Sequence, residues 1–240
     1  MPLPTAPVQN VLSPERLRAI IYGRPGAGKT TLAAGWYPKS NLIIDVEGGT
    51  RFLTGEHYVV RPASYSEFQQ LIVELVTTRH QYQTVTIDTI DSLIRMADAQ
   101  AGQRYGKVAA GLAEFGKGLA DRDGTVLRDL GRLLATDLGV ILTAHHADVT
   151  VQTDEGAEAE RVFPRVDQND RLRQPVMGLV DFIVAVHRGT DETRALITGA
   201  SPVYETKRRV HLPDLMASDA AGLYAAVKAG IESLNTKESK

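Results

Sequence analysis

One eight-residue stretch constrains this chain more than any other: Gly23-Arg24-Pro25-Gly26-Ala27-Gly28-Lys29-Thr30. It satisfies the pattern G-x-x-x-x-G-K-[ST] with no departure. Arg18-Ala19-Ile20-Ile21-Tyr22 before it reads as a short buried strand, and Thr31-Leu32-Ala33-Ala34-Gly35-Trp36 after it reads as the start of a helix. Gly23, Gly26 and Gly28 permit backbone conformations that a side chain would forbid. The loop amides can then converge on a phosphate, and the helix start adds positive potential. The expected phosphate cradle is therefore Gly23, Arg24, Pro25, Gly26, Ala27, Gly28, Lys29, Thr30 and Thr31. Within it Lys29 reaches the β- and γ-phosphates, and the Thr30 hydroxyl suits Mg²⁺.

Beyond the loop, apolar strands alternate with amphipathic helices. Asn41–Asp45, 58–60, Thr84–Asp88 and Val140–Ala144 read as strands. Helical spacing runs from Pro62 and Ser64 or Ser66 through Val76, over residues 90–105, from about Thr125 to Asp137, and over 218–234. The glycine-rich stretch 106–124 reads as partly irregular. Val149–Gln152 and Ala159–Arg165 look like a projecting hairpin, Phe182–His187 and Thr193–Thr198 like a second, and Val203–Thr206 like one more strand. This pattern predicts an α/β fold: a mostly parallel sheet with helices on both faces and an antiparallel hairpin extension at one edge. Its 240 residues and 43% hydrophobic content suffice for one domain, expected over 18–234, after an extended proline-bearing arm (1–17) and before a charged tail (235–240). The arm reads either as a loose tail or as a segment docking on a neighbouring subunit.

Composition excludes several classes. Cysteine is absent, so there are no disulfides and no thiolate metal sites. No run is long and apolar enough to cross a membrane, and residues 1–7 lack the basic and apolar regions of a signal peptide. The net charge of −2 argues against a uniformly basic nucleic-acid binder but allows a local basic patch.

Strand ends after the loop carry the candidate chemistry. Asp88 closes an apolar strand where a carboxylate could hold Mg²⁺ through a water; otherwise it caps a strand end. Asp91, three residues on, reads as a first-turn helix acid. Glu47 follows the strand after the loop helix and is the candidate general base, with Asp45 a weaker competitor inside the strand. His145 ends the strand Val140–Ala144 and could sense a γ-phosphate; its alternative is a local hydrogen bond. His145-His146 is only a weak metal signal.

These features, in the order Gly23–Thr30, Ile43–Glu47, Thr84–Asp88 and Val140–His145, resemble the RecA-like ATPases, and most of all the short RecA-core ATPases of bacteriophages grouped with single-strand annealing proteins. The resemblance covers roughly residues 18–210. It implies that Glu47 is the catalytic glutamate and that His145 stands where a γ-phosphate-sensing glutamine is usual. It further implies that Lys207 and Arg209, in Lys207-Arg208-Arg209, reach the nucleotide site of an adjacent subunit. Cations supplied there would stabilise the transferring phosphoryl group; alternatively they form an exposed basic strand end. The resemblance also implies ATP and Mg²⁺ as cofactors, a homo-oligomer with its nucleotide site between subunits, and cytoplasmic action in a bacterial host. A full recombinase would carry a further DNA-binding or oligomerisation domain, for which the chain has no room.

Single-stranded DNA is the expected partner, with a single-strand-binding protein as a further one. Arg161, Arg165, Arg171 and Arg173 lie in or after the first hairpin, and Phe163 could stack on a base. Asp148, Asp154, Glu155, Glu158 and Glu160 lie just upstream, which suits a nucleotide-dependent protein-interaction switch instead. The absence of an N-K-x-D element favours ATP over GTP, and no arginine-rich lid supports a small-molecule kinase.

Overall fold

The computed structural model describes residues 12–37, 39–152, 156–167 and 170–237. In chain order the elements are β1 (Arg18–Gly23), α1 (Lys29–Ala34), β2 (Asn41–Asp45), β3 (Tyr58–Val60), α2 (Tyr65–Thr77), β4 (Thr84–Asp88), α3 (Ile90–Arg104), α4 (Lys117–Leu134), β5 (Gly139–Gln152), β6 (Glu158–Arg165), α5 (Arg173–Leu179), β7 (Phe182–Arg188), β8 (Arg194–Ile197), β9 (Leu215–Ala217) and α6 (Ala220–Lys237). Among the described residues nine strands form one sheet in the order β3-β2-β4-β5-β1-β7-β8-β9, with β6 paired to β5. The six strands from β3 to β7 are parallel, and β6, β8 and β9 run antiparallel to their neighbours.

The expected α/β architecture holds, with helices on both faces. Strands buried on both faces read as unbroken apolar runs, and the period of two then divides their residues. Ile20, Tyr22, Val140, Leu142, Ile183 and Ala185 turn to one core with Phe68 and Ile72 of α2, Leu93 of α3 and Leu130 of α4. Ile21, Ile141, Phe182 and Val184 turn to the other with Leu32 of α1 and Leu223 and Val227 of α6. The start of α2 is a serine cap: Ser64 Oγ accepts from Glu67 N (3.2 Å), and Glu67 Oε2 accepts from Ala63 N (2.8 Å).

Several boundaries differ from expectation. Helix α4 begins at Lys117 rather than near Thr125, although Gly118 and Gly124 lie inside it. Gly118 is there because a Cβ would stand 2.3 Å from the Ala110 carbonyl oxygen, so tight packing outweighs poor helix propensity. The first hairpin is not at a sheet edge. β5 is one strand from Gly139 to Gln152, and its outer half leaves the sheet's middle to pair with β6. Val203–Thr206 forms only isolated bridges, Val162 with Tyr204 and, just beyond, Ile183 with Lys207.

Of the expected arm, residues 1–11 lie outside the described residues. Pro14–Arg16 forms a 3-10 turn held to the body: Trp36 Nε1 donates to the Pro14 carbonyl (3.3 Å), and Tyr224 donates to Glu15. Of the expected tail, residues 235–237 continue α6, and 238–240 lie outside the described residues.

Candidate active site

Parallel strands deliver their C-terminal ends to one crest, and register decides which side chains meet there. Gly23 pairs with His145 on one side and Val186 on the other; Asp45 pairs with Asp88. The loop Gly23–Gly28 leaves this crest and turns into α1. Gly26 and Gly28 have φ of 75° and 99°, the left-handed region that glycine tolerates and larger residues resist. Arg24 and Pro25 are exposed, Ala27 is buried, and Thr31 faces solvent from the first turn of α1. Lys29 is buried, and its Nζ donates to the carbonyls of Gly23 and Arg24, both at 3.2 Å, across the mouth of the loop. Burial pulls its ammonium below the ordinary lysine range, while Asp88, Glu47 and Asp91 work against that fall.

Thr30 and Asp88 meet as expected: Thr30 Oγ1 donates to Asp88 Oδ2 at 2.9 Å, and Thr143 donates to the other carboxylate oxygen. Asp88 is 1% exposed. Burial pushes its carboxyl above the usual carboxylate range, opposed by the Thr143 and Thr30 hydroxyls and reinforced by Asp45 and Glu47. A Cβ on Gly49 would lie 3.3 Å from both Asp88 Oδ2 and Thr30 Oγ1, so the turn after β2 closes on this oxygen pair because it carries no side chain. A buried carboxylate beside a hydroxyl, with no side-chain cation bonded to it, is the donor chemistry of a hard divalent ion such as Mg²⁺. Thr30 and Asp88 would hold it.

Asp45 is committed elsewhere. It accepts from the amides of Gly48 (2.7 Å) and Gly49 (3.1 Å), from Thr50 and from Arg61 Nε (3.1 Å). Burial opposes its charge, but these donors hold its carboxyl below the ordinary range. It shapes the turn that presents Glu47. Glu47 is exposed, and its Oε2 lies 3.8 Å from His145 Nε2.

His145 is not a strand end but a mid-strand residue, placed where β5 leaves β4 for β6. Its partner was not foreseen. Asp91 accepts from the His145 backbone N (3.3 Å) and faces Nδ1 at 2.9 Å. A carboxylate can only accept, so Nδ1 carries the proton and Nε2 is aimed at Glu47. Burial raises the Asp91 carboxyl, but the His145 hydrogen bonds and charge bring it below the usual range. Asp91 is therefore an orienting group, not only a helix-start acid.

The other predicted residues stay apart from this centre. Lys207 bridges Ile183, three residues before Val186 on β7, so it sits about 10 Å below the crest. Its Nζ donates to the Met177 carbonyl (3.0 Å). Arg209 Nε pairs with Asp181 (3.1 Å), at the opposite end of β7 from the loop, and its side chain is 63% exposed. Neither meets its own chain's cradle. Phe163 is 7% exposed and lies under the guanidinium groups of Arg161 and Arg173, so it offers no free face for a base. Arg161 pairs with Glu205, Arg171 with Asp123 and Arg173 with Asp170.

No curated protein matches the chain. A family model described as an AAA domain matches residues 15–210, a span that takes in the loop, Glu47, Asp88, His145 and both late hairpin strands. With that match lying over this crest, the chain belongs to the AAA domain family and is a nucleotide-binding P-loop ATPase.

Proposed function

We propose that this ATPase is a Mg²⁺-dependent, RecA-like enzyme that acts on single-stranded DNA in phage recombination or replication. The observation that carries the catalytic half is the convergence of Lys29, Thr30, Asp88, Glu47 and the Asp91–His145 pair on one crest. In this reading the loop amides and Lys29 grip the β- and γ-phosphates. Mg²⁺, when bound, neutralises charge on them as the bond breaks. Glu47 orients a water and takes its proton. His145, held at Nδ1 by Asp91, donates from Nε2 to the γ-phosphate when both ring nitrogens carry protons, and so marks its presence at the foot of the β5–β6 ribbon.

The DNA half is supported by the RecA-like order of elements. A cavity of about 570 Å³ beside the crest is lined by Arg95, Arg122 and Arg165 but equally by Asp91, Asp98 and Asp167, so its charge favours neither partner. Lys207 and Arg209 are too far from their own cradle to act there, which suits a homo-oligomer in which they serve the neighbouring subunit. A second reading, a nucleotide-dependent switch for a protein partner, is favoured by the pairing of Arg161, Arg171 and Arg173 with acids and by exposed Asp148, Glu158 and Glu160 on the ribbon.

ATP turnover measured with and without single-stranded DNA across a salt series separates the two. The DNA reading expects stimulation that fades as salt rises. Unchanged turnover at every salt concentration would leave the protein switch.

A further inference from the structure

The loop has a second flank that the catalytic residues do not use. β7 runs beside β1, and two residues beyond the Gly23–Val186 pair it carries Arg188 past the phosphate loop. The chain then turns through Gly189–Thr193, with Gly189 N bonded to the Thr193 carbonyl (2.8 Å) and Thr193 N to Asp191 Oδ1 (3.2 Å). It returns as β8 with Arg194 directly opposite Arg188. Like charges facing one another across an antiparallel ladder are unfavourable. Glu192 relieves Arg188, but among the described residues no carboxylate pairs with Arg194.

Both side chains lean onto the loop itself. Arg188 Nη1 lies 3.4 Å from where a Cβ on Gly26 would stand, and Arg194 Nη1 lies 3.2 Å from that position on Gly28. Two exposed guanidinium groups thus cover the two glycines that shape the cradle. Their planar forks suit paired phosphate oxygens, and a polyanion between them would remove their mutual repulsion. Glu47, Asp88 and His145 all stand on the other side of β1, on β2, β4 and β5 or the turn after β2, so the reacting γ-phosphate belongs there. The hairpin flank is left for the earlier phosphates.

We propose that Arg194, with Arg188 beside it, binds the α- and β-phosphates of the nucleotide held by its own chain. This rests on the nucleotide reading above and adds two phosphate ligands in cis, distinct from Lys207 and Arg209.

The test is equilibrium binding of ATP and ADP to the full chain, together with steady-state turnover, for Arg194→Ala, Arg194→Lys, the double variant Arg188→Ala/Arg194→Ala, and Lys29→Ala as control. Arg194→Ala should weaken ADP and ATP alike by about tenfold, the double variant by more, and Arg194→Lys by less, because it keeps the charge but not the fork. KM for ATP should rise by a similar factor, since the lost contact is made in ground and transition states alike. Both arginines are exposed, so thermal melts should match the wild type. Unchanged ADP affinity in the double variant, with binding lost in Lys29→Ala, overturns the proposal and leaves the nucleotide reading standing. A fall in turnover with unchanged ADP affinity also overturns it, by moving the arginines to the γ-phosphate. A wild-type chain that binds neither nucleotide overturns both.

Discussion

The two flanks of the phosphate loop are built on opposite plans. Toward β2, β4 and β5 the crest is acidic and hydrogen-bonded: Asp88 on Thr30 and Thr143, Asp45 on its own turn, Asp91 on His145. Toward β7 and β8 it is cationic and open: Arg188 and Arg194 stand opposite each other over Gly26 and Gly28. The acidic flank fixes side chains through buried hydrogen bonds, which suits groups that must hold a metal ion, a water and a proton at set positions. The cationic flank presents its side chains to solvent, which suits capture of charge. On the reading proposed above, the contrast makes the phosphate loop a boundary, with chemistry on one side of it and grip on the other.

Three variants on the acidic flank test that division. The largest effect is expected from Glu47→Gln, which should lower turnover by about 10²- to 10⁴-fold while ATP stays bound, measured by phosphate release beside nucleotide binding. Hydrolysis at the wild-type rate would remove Glu47 from the acidic flank's work. Next is Asp91→Asn. An amide still accepts from His145 but no longer fixes its charge and tautomer, so turnover should fall about ten- to a hundredfold with ADP affinity unchanged. An equal loss of ADP affinity would show that the two flanks are not separable.

The smallest effect concerns stability. Burial raises the Asp88 carboxyl above the ordinary carboxylate range. For an acid so shifted, the folded state holds the proton more tightly than the unfolded chain, so stability falls as pH rises from the unfolded pKa through the raised folded one. The full cost is present above that window and absent below it. Asp88→Asn should therefore raise the Tm of the nucleotide-free protein near neutral pH, and the gain should shrink as the pH falls to the ordinary carboxylate range. Denaturation curves across pH check the sign; a loss of stability at neutral pH would mean that the Thr30 and Thr143 hydrogen bonds outweigh the desolvation.

What could be read from the chain divides along the same line. Gly23–Thr30 is legible because its constraint is local: eight residues carry the glycines, the lysine and the hydroxyl together. Asp88 and Glu47 are legible because an apolar run that ends at or just before an acid marks a strand reaching the crest. Asp91 is not, because an acid in a first helical turn is commonplace and its partner lies 54 residues away. Arg188 and Arg194 are equally silent in sequence, where they flank an ordinary polar turn; only the β1–β7 register places them over the loop. Phe163 was misread for a related reason. Set among arginines, it suggests a stacking platform, yet the outer half of β5 and the strand paired to it cover the core that Tyr22 enters, and that packing draws the ring inside.

β5 runs without interruption from the parallel sheet into the β5–β6 ribbon, where Val149, Val151 and Phe163 pack against the core. Seven residues separate His145 from Gln152, so the ribbon rises about 24 Å above the histidine. Whatever adjusts the imidazole's seat therefore meets Val149 and Val151 along one unbroken strand, with no loop in between.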